Sequence, residues 1–362
     1  MNPTIDHRWN VHYDRLSDYQ HAAMALPFGV PQLITGLAGS GLTTVAVFRA
    51  AALLQAGPQI SRPRPVFLAT SVLRMRRVRH LLGPLAEHMD VTTVSDWLLR
   101  RFVATTGEPA PPPQGVNWMT LALATSSAGA SPAFSVMVDD AHHLRPEQLM
   151  ALRLLTADPF VTAHSAAASS TGASLMLPVA AELDRRRRQP RRVVRVAAAW
   201  GAEPPRTDRE GSFEDGVVDV RPLSAAQAAL DALARWKVNR SSRVVIAPMV
   251  TDHVPKIANM LIARGLGRNR LFSSDVPKNA FHRWDVGAGG IYVMQPGQLE
   301  GLEFDDVVAT DLEHLAGDLS EATNIYRLLA LANATRSRLA LHWDGSTSDR
   351  PPAVRLLDGV DI

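Results

Sequence analysis

The sequence predicts an α/β protein of two lobes, each built on a parallel sheet flanked by helices. Short apolar runs alternate with helical segments in both halves, a pattern typical of parallel sheets with helical crossovers. The chain has 362 residues, enough for two domains of ordinary size. Hydrophobic residues make up 46% and charged residues 20%, so both lobes have the material for a core.

The first lobe is predicted over residues 1–184 from three strand-and-helix units. Their strands are the apolar runs Pro31–Thr35, Val66–Thr70 and Phe134–Val138. The proline-rich segment Glu108–Gly115 should be a surface loop, because proline fixes φ and lacks the amide donor. The small, polar segment Ala163–Ser174 is expected to be a connection before a strand near Leu175.

The second lobe is predicted over residues 185–362. It begins in the arginine-rich stretch Arg185–Arg195, and a turn-rich segment follows. The same alternation of strand and helix then returns. Its predicted strands lie in RVVIAPM, GIYVMQ, DDVVATDL and SRLALHW.

Amino-acid composition excludes several classes of function. Lys and Arg number 38 against 35 Asp and Glu, a net charge of +3, so a nucleic-acid surface would have to be local. The lack of cysteine excludes disulfides, thiolate zinc sites and cysteine nucleophiles, and the histidines show no zinc spacing. We see neither a signal peptide nor a run of about 18 apolar residues, and therefore expect a cytoplasmic protein.

A glycine-rich loop between a predicted strand and helix is the strongest chemical signal. Its glycines allow consecutive N–H groups to surround an anion at the positive end of the helix. Leu42 stands where such loops carry a lysine for the phosphates. The alternative is an ordinary glycine-rich turn. The predicted nucleotide contacts are Gly36, Gly39, Ser40, Gly41, Thr43 and Thr44, with the Thr43 hydroxyl as a magnesium ligand.

A second signal is the pair Asp139 and Asp140, which ends an apolar strand and precedes a helix. In order along the chain, these segments resemble motifs of UvrD/Rep-like superfamily 1 helicases. The matching stretches are Leu16–Gln20, Asp139–His143 with Arg145–Gln148, Gly301–Asp305 and Ala334–Leu339. The resemblance implies two RecA-like P-loop lobes. For Asp140 the alternative is a helix N-cap, with His142 and His143 solvated.

The resemblance also implies roles for individual residues. Asp139 would ligate magnesium, and Asp140 would take the place of the catalytic glutamate with a side chain one methylene shorter. Gln20 would read the adenine and Glu303 would contact the nucleotide. Arg336 and Arg188 would reach the γ-phosphate from the second lobe. ATP with Mg²⁺ is the ligand implied.

Several departures from the family pattern imply little ATP hydrolysis and no unwinding by the chain alone. Besides Leu42 and Asp140, the Gly-Asp-x-x-Gln motif expected near Leu175 is missing, and Glu300 replaces a lysine. Like charge at Glu300 repels nucleic-acid phosphate. The large helical insertions of the family do not fit within this length.

A basic helix in the first lobe is the candidate surface for a single strand of nucleic acid, because cations beside an aromatic ring suit strand binding. The alternative is a solvated basic face. The predicted contacts are Arg74, Arg76, Arg77, Arg79 and Trp97, joined by Arg100 and Arg101.

Three hypotheses about function remain open. The first is a nucleotide-binding or vestigial scaffold that acts on nucleic acid, single-stranded DNA above all, or on a protein partner in a larger assembly. The second is an active ATP-dependent helicase or translocase in which Arg49 or Arg336 replaces the lost lysine. The third is a protein-interaction subunit that binds no nucleotide.

Overall fold

The computed structural model describes residues 13, 16–55, 64–112, 114–183, 185, 189–204, 214–275, 287–315, 322–346 and 349–362. The chain divides into two compact units, Met1–Asp184 and Arg185–Ile362. Each unit has its own six-stranded sheet, and every strand pairing in both sheets is parallel. The predicted α/β class with parallel sheets is confirmed.

The sheet of the first unit has the strand order β3-β2-β4-β5-β1-β6. Its strands are β1 Gln32–Gly36, β2 Val66–Ala69, β3 Asp90–Thr93, β4 Val136–Val138, β5 Phe160–His164 and β6 Val179–Leu183. Its helices are α1 Asp18–Met24, α2 Leu42–Gln55, α3 Val72–Leu82, α4 Val94–Thr106, α5 Trp118–Ser127, α6 Pro146–Leu155 and α7 Ala168–Leu175.

Apolar side chains pack on both faces of this sheet. Neighbouring residues of one strand fall into different clusters, Leu33 in one and Ile34 in the other, because successive side chains of a strand point to opposite faces. One cluster includes residues of α4, α5 and α6, and the other includes residues of α2 and α3. Burial on both faces explains why the strands β2 and β4 read as continuous apolar runs.

The second unit repeats this architecture with the strand order β7-β12-β11-β8-β10-β9. Its strands are β7 Val217–Pro222, β8 Arg243–Pro248, β9 Leu271–Ser273, β10 Gly290–Val293, β11 Phe304–Thr310 and β12 Thr335–Trp343. Its helices are α8 Arg191–Ala199, α9 Ala225–Val238, α10 His253–Ala263, α11 Ala322–Ala334 and α12 Pro352–Arg355. Helices α9 and α10 cover one apolar face of its central strands.

Two local predictions differ from the structure. The segment Ala163–Ser174 is not a plain connection, since it contains the end of β5 and most of α7, and the next strand begins only at Val179. The third predicted strand begins at Val136 instead of Phe134, because Ser135 has a left-handed backbone (φ 56°) that breaks the extended run. Within the described ranges, no helix is long and apolar enough to cross a membrane.

Candidate nucleotide site

The glycine-rich loop joins β1 to α2 and has the backbone of an anion cradle. Gly39 (φ 81°) and Gly41 (φ 96°) are left-handed, a conformation that glycine adopts without steric cost. Gly36 is required for another reason, because a Cβ there would lie 2.5 Å from Ser40 Oγ. The 14-residue helix α2 follows directly, and its first-turn N–H groups have no intrahelical partner. This arrangement suits a phosphate group.

Gln20 holds the loop to the first helix. Its Oε1 accepts from the backbone N–H of Ser17 (2.9 Å), and its Nε2 donates to the Ser40 carbonyl (2.8 Å). The same Nε2 would lie 2.3 Å from a Cβ at Gly41, so the amide lies directly over the loop. Both ends of this buried amide are thus engaged within the chain, and its predicted contact with adenine stays a prediction.

A threonine that the sequence did not single out lies between the acidic pair and the loop. Thr162 lies on β5, between the strand that carries the loop and the strand that ends at the acids. Its hydroxyl donates to Asp139 Oδ1 (2.7 Å) and accepts from the backbone N–H of Asp140 (3.1 Å). The side chain of Thr43 is also near enough to lower the pKa of Asp139. The two predicted magnesium ligands therefore lie near each other. The signal in the sequence that could have identified Thr162 is a polar side chain inside the otherwise buried run FVTAH.

Asp140 has a left-handed backbone (φ 55°), a strained conformation of the kind that concentrates at functional sites. It occupies the N-cap position of the short 3-10 helix Ala141–His143, but its side chain makes no capping hydrogen bond there, and α6 begins only at Pro146. Its carboxylate instead faces Arg74, with 3.7 Å between Arg74 Nε and Asp140 Oδ2. Arg74 also donates to Thr70 Oγ1 (2.6 Å) and to His143 Nε2 (2.8 Å).

The two carboxyl groups have opposite pKa shifts. Burial, together with the charge of Asp140, raises the pKa of Asp139 to about 6, although hydrogen bonds from Thr162 and Thr43 act against the shift. Burial also acts to raise the pKa of Asp140, but Arg74, the neighbouring histidines and Arg77 outweigh it, and the pKa is lowered. A lowered pKa makes the Asp140 carboxylate a poorer base for an attacking water.

Leu42 is part of the core. It is 7% exposed and belongs to the apolar cluster that contains Ile34, Val45 and Phe67. The position of the missing lysine therefore holds a side chain that packs inward and stabilises the start of α2.

Arg49 cannot replace that lysine, and this part of the second hypothesis is wrong. It is 3% exposed and donates to the carbonyls of Met24 (2.8 Å), Leu26 (2.6 Å) and Pro27 (2.7 Å). Its guanidinium lies 4.5 Å from the ring centroids of both Phe28 and Phe160. These partners lie at the edge where β1 and β5 begin, whereas the loop follows the end of β1.

The predicted basic surface does not form as a solvent-facing stripe. Arg74 and Arg77 are 7% and 4% exposed, and Trp97 is 3% exposed within the core. Arg76 is half-buried. Arg79 donates to the Val91 carbonyl (2.6 Å between Nη2 and O). Arg74 and Arg77 thus lie on the covered face of α3 beside the acidic pair, whereas Arg79 is exposed.

Two further arginines follow Trp97 on α4. Arg100 pairs with Asp90 (2.8 Å), and the Arg101 guanidinium lies 5.1 Å from the Trp97 ring centroid. A role for these residues in nucleic-acid binding stays a prediction.

In the second unit, the structure brings Glu303 and Arg336 together. Arg336 Nε lies 3.9 Å from Glu303 Oε2, at the edge where β11 and β12 begin. Arg243 begins the neighbouring strand β8, and its backbone N–H donates to Asp305 Oδ2 (2.8 Å). Burial lowers the pKa of Arg243, while Asp305 and Glu303 act against that shift. Arg188 lies outside the described residues.

Comparison with known proteins supports the fold. The sequence matches no protein family model and no curated protein. The structure is similar to S. cerevisiae Dbp5 bound to RNA and ADP BeF3, with a TM-score of 0.56 and 13% identity over 96% of this chain and 87% of that one. Another similar structure is the C-terminal domain of a possible DNA helicase from Lactobacillus plantarum WCFS1 (17% identity, 46% of this chain, 91% of that one), whose TM-score of 0.32 is too low to carry an argument.

The likeness to Dbp5 shows a class of fold, a helicase-like fold with two RecA-like lobes. Membership of the UvrD/Rep family in particular stays a prediction from the motifs.

Proposed function

We propose that the chain is a degenerate helicase-related protein of the UvrD/Rep type that binds a nucleotide at the loop Gly36–Thr44 and hydrolyses it little. The observation that carries the proposal is the buried Asp139, near Thr43 and bonded to Thr162, beside an intact glycine loop. A polar pair that keeps a buried carboxylate next to an anion cradle is costly to the fold, and such groups concentrate at functional sites.

Two features support slow hydrolysis. Leu42 is committed to the core and supplies no positive charge to the phosphates. Asp140 is paired with Arg74 and has a lowered pKa, so it is a weak base for the attacking water. A carboxylate that is one methylene too short adds to this, because a displacement of about 1 Å costs about a hundredfold in rate.

As partner we propose nucleic acid, single-stranded DNA above all, or a protein in a larger assembly. The support is the resemblance of the motifs Gly301–Asp305 and Ala334–Leu339 to helicases, together with a fold that Dbp5 shares. The basic helix no longer supports this part of the proposal, since two of its arginines are buried.

Titration of the purified chain with a fluorescent ATP analogue tests whether the loop binds a nucleotide. Gly41→Ala should weaken binding by about tenfold or more, because the new Cβ meets the Gln20 amide at a left-handed position. Gly107→Ala is the matched control, since Gly107 is also left-handed (φ 76°) but has nothing within 4 Å of the new Cβ. Equal affinity of both variants would sink the assignment of the loop.

Turnover is measured on the same preparations with and without single-stranded DNA. We expect phosphate release near background in both conditions. Strong phosphate release that DNA stimulates would reject the scaffold hypothesis in favour of an active helicase or translocase.

A further inference from the structure

Two buried arginines lie beside the acidic pair. Arg74 and Arg77 are three residues apart on α3 and therefore share a face of the helix. Their exposed fractions are 7% and 4%. Arg74 lies 3.7 Å from Asp140, and Arg77 is close enough to act on the charges of both Asp139 and Asp140. Arginine keeps its charge when buried, so these are permanent cations.

Positive side chains already face the acidic pair without a metal ion. Arg74, His142, His143 and Arg77 act on the charge of Asp140, and Arg77 also acts on that of Asp139. Sites for Mg²⁺ offer carboxylate oxygens whose negative charge the ion itself neutralises. At this cluster an ion would instead meet two fixed positive charges in a buried setting, where repulsion is weakly screened.

The hydrogen bonds at the cluster also argue against a bound divalent cation. Asp139 Oδ1 already accepts from the Thr162 hydroxyl (2.7 Å), and the Thr162 hydroxyl in turn accepts from the backbone N–H of Asp140 (3.1 Å). Arg74 is anchored by Thr70 and His143, so it cannot swing away without leaving polar groups unpaired. The residues present do not fit a divalent cation, in contrast to the magnesium site that the motifs imply.

We propose that Arg74 and Arg77 take the place of the divalent cation, so that the glycine loop binds a nucleoside polyphosphate free of metal. The proposal rests on the proposed nucleotide site and specifies its ligand. The guanidiniums offset the negative charge next to the loop, and the N-terminus of α2 with the loop amides receives the phosphate.

The first experiment titrates the full chain with the fluorescent ATP analogue in EDTA and in excess MgCl2. We expect the two dissociation constants to agree within about twofold, whereas a metal-dependent site loses about tenfold or more in EDTA. Binding that requires Mg²⁺ would overturn this inference and leave the proposed function intact. An absence of binding in both conditions would reject the proposed function and, with it, the metal-free ligand.

Variants of α3 identify the residues responsible. Arg74→Gln and Arg77→Gln should each weaken binding in EDTA and make it respond to Mg²⁺, because each leaves a carboxylate uncompensated. Arg74→Lys keeps the charge and should stay insensitive to Mg²⁺. Arg79→Gln is the matched control on the same helix, since Arg79 donates to the Val91 carbonyl and not to the acidic pair. It should match the unaltered chain.

A measurement without nucleotide keeps the inference testable if a glutamine variant folds poorly. Mn²⁺ is added to the chain alone, and the free ion is followed by electron paramagnetic resonance. We expect no Mn²⁺ to bind at the acidic pair of the unaltered chain and a bound fraction to appear in folded Arg77→Gln. Mn²⁺ bound by the unaltered chain and lost in Asp139→Asn would overturn the inference.

Discussion

At the scale of the residue, Asp139 shows what the site costs the fold. Its carboxyl is 3% exposed, and burial raises its pKa to about 6. Ionisation is therefore harder in the folded chain than in the unfolded chain, where the pKa is about 3.9. The free energy of unfolding should fall as the pH rises from about 4 to about 6, and the full penalty is present at pH 7.

Asp139→Asn is expected to stabilise the chain by about 2 kcal/mol at pH 7, since the amide keeps a hydrogen-bonding shape without the buried charge. Urea denaturation at pH 7 and pH 4 measures it, and the gain should vanish at the lower pH. Asp90→Asn is the control, because Asp90 is only partly buried and pairs with an exposed arginine; it should change stability by less than about 1 kcal/mol. A destabilised Asp139→Asn would contradict this explanation.

At the scale of the element, Arg49 joins α2 to the segment between α1 and β1. Its terminal nitrogens donate to the carbonyl of Met24 at the end of α1, to two carbonyls of that segment and also to Gln32 Oε1 (3.1 Å). Burial lowers its pKa to about 10, still far above neutrality, so the side chain stays charged while it lies between two phenylalanine rings. One planar fork thus fixes a loop that has no regular structure of its own.

Arg49→Ala should lower the free energy of unfolding by about 3–5 kcal/mol, because it leaves buried carbonyls unpaired and opens a cavity. Arg49→Lys should recover only part of this loss, since an ammonium cannot span the same acceptors. Arg100→Ala, which removes an exposed ion pair, should cost less than about 1 kcal/mol. A similar loss in Arg49→Ala and Arg100→Ala, measured by urea denaturation, would show that Arg49 is not structural.

At the scale of the whole molecule, the sequence predicted the alternation of strands and helices and the parallel sheets. Both follow from local sequence patterns, namely apolar runs followed by helical segments. It also predicted the loop and the acidic pair from their places at strand ends. It failed where the answer depended on which face of a helix is covered. Arg74 and Arg77 were predicted to bind nucleic acid, with a solvated face as the alternative, and nothing along the chain indicated that their helix face meets Asp139 and Asp140.

The same distinction explains why the burial of Leu42 and the role of Thr162 were not predicted. The loss of the lysine was visible, but the burial of its replacement depends on neighbours such as Phe67 that are distant in sequence. Thr162 gained its role only through the strand order, which places β5 between β4 and β1. Strand order is a property of the assembled sheet and leaves little mark on a single strand.

Each unit should fold by itself, since each has its own complete sheet and its own apolar core. Chains of this size bury about 70% of their unfolded surface. We expect residues 1–184 and 185–362, expressed separately, to give native-like circular dichroism and cooperative thermal unfolding. A fragment with the spectrum of an unfolded chain would contradict this, and a mixture of both fragments would then test whether the other unit restores the signal.

The two hydrogen bonds of the Gln20 amide have a consequence for motion. When α1 frays, the bond to Ser17 and the bond to Ser40 are lost together, so the first helix and the glycine loop open as one cooperative unit. Amide hydrogens of α1 and of the loop should therefore exchange with solvent at a common rate. An anion held by the loop would slow that exchange in α1, and the first helix becomes a built-in reporter of whether the cradle is filled.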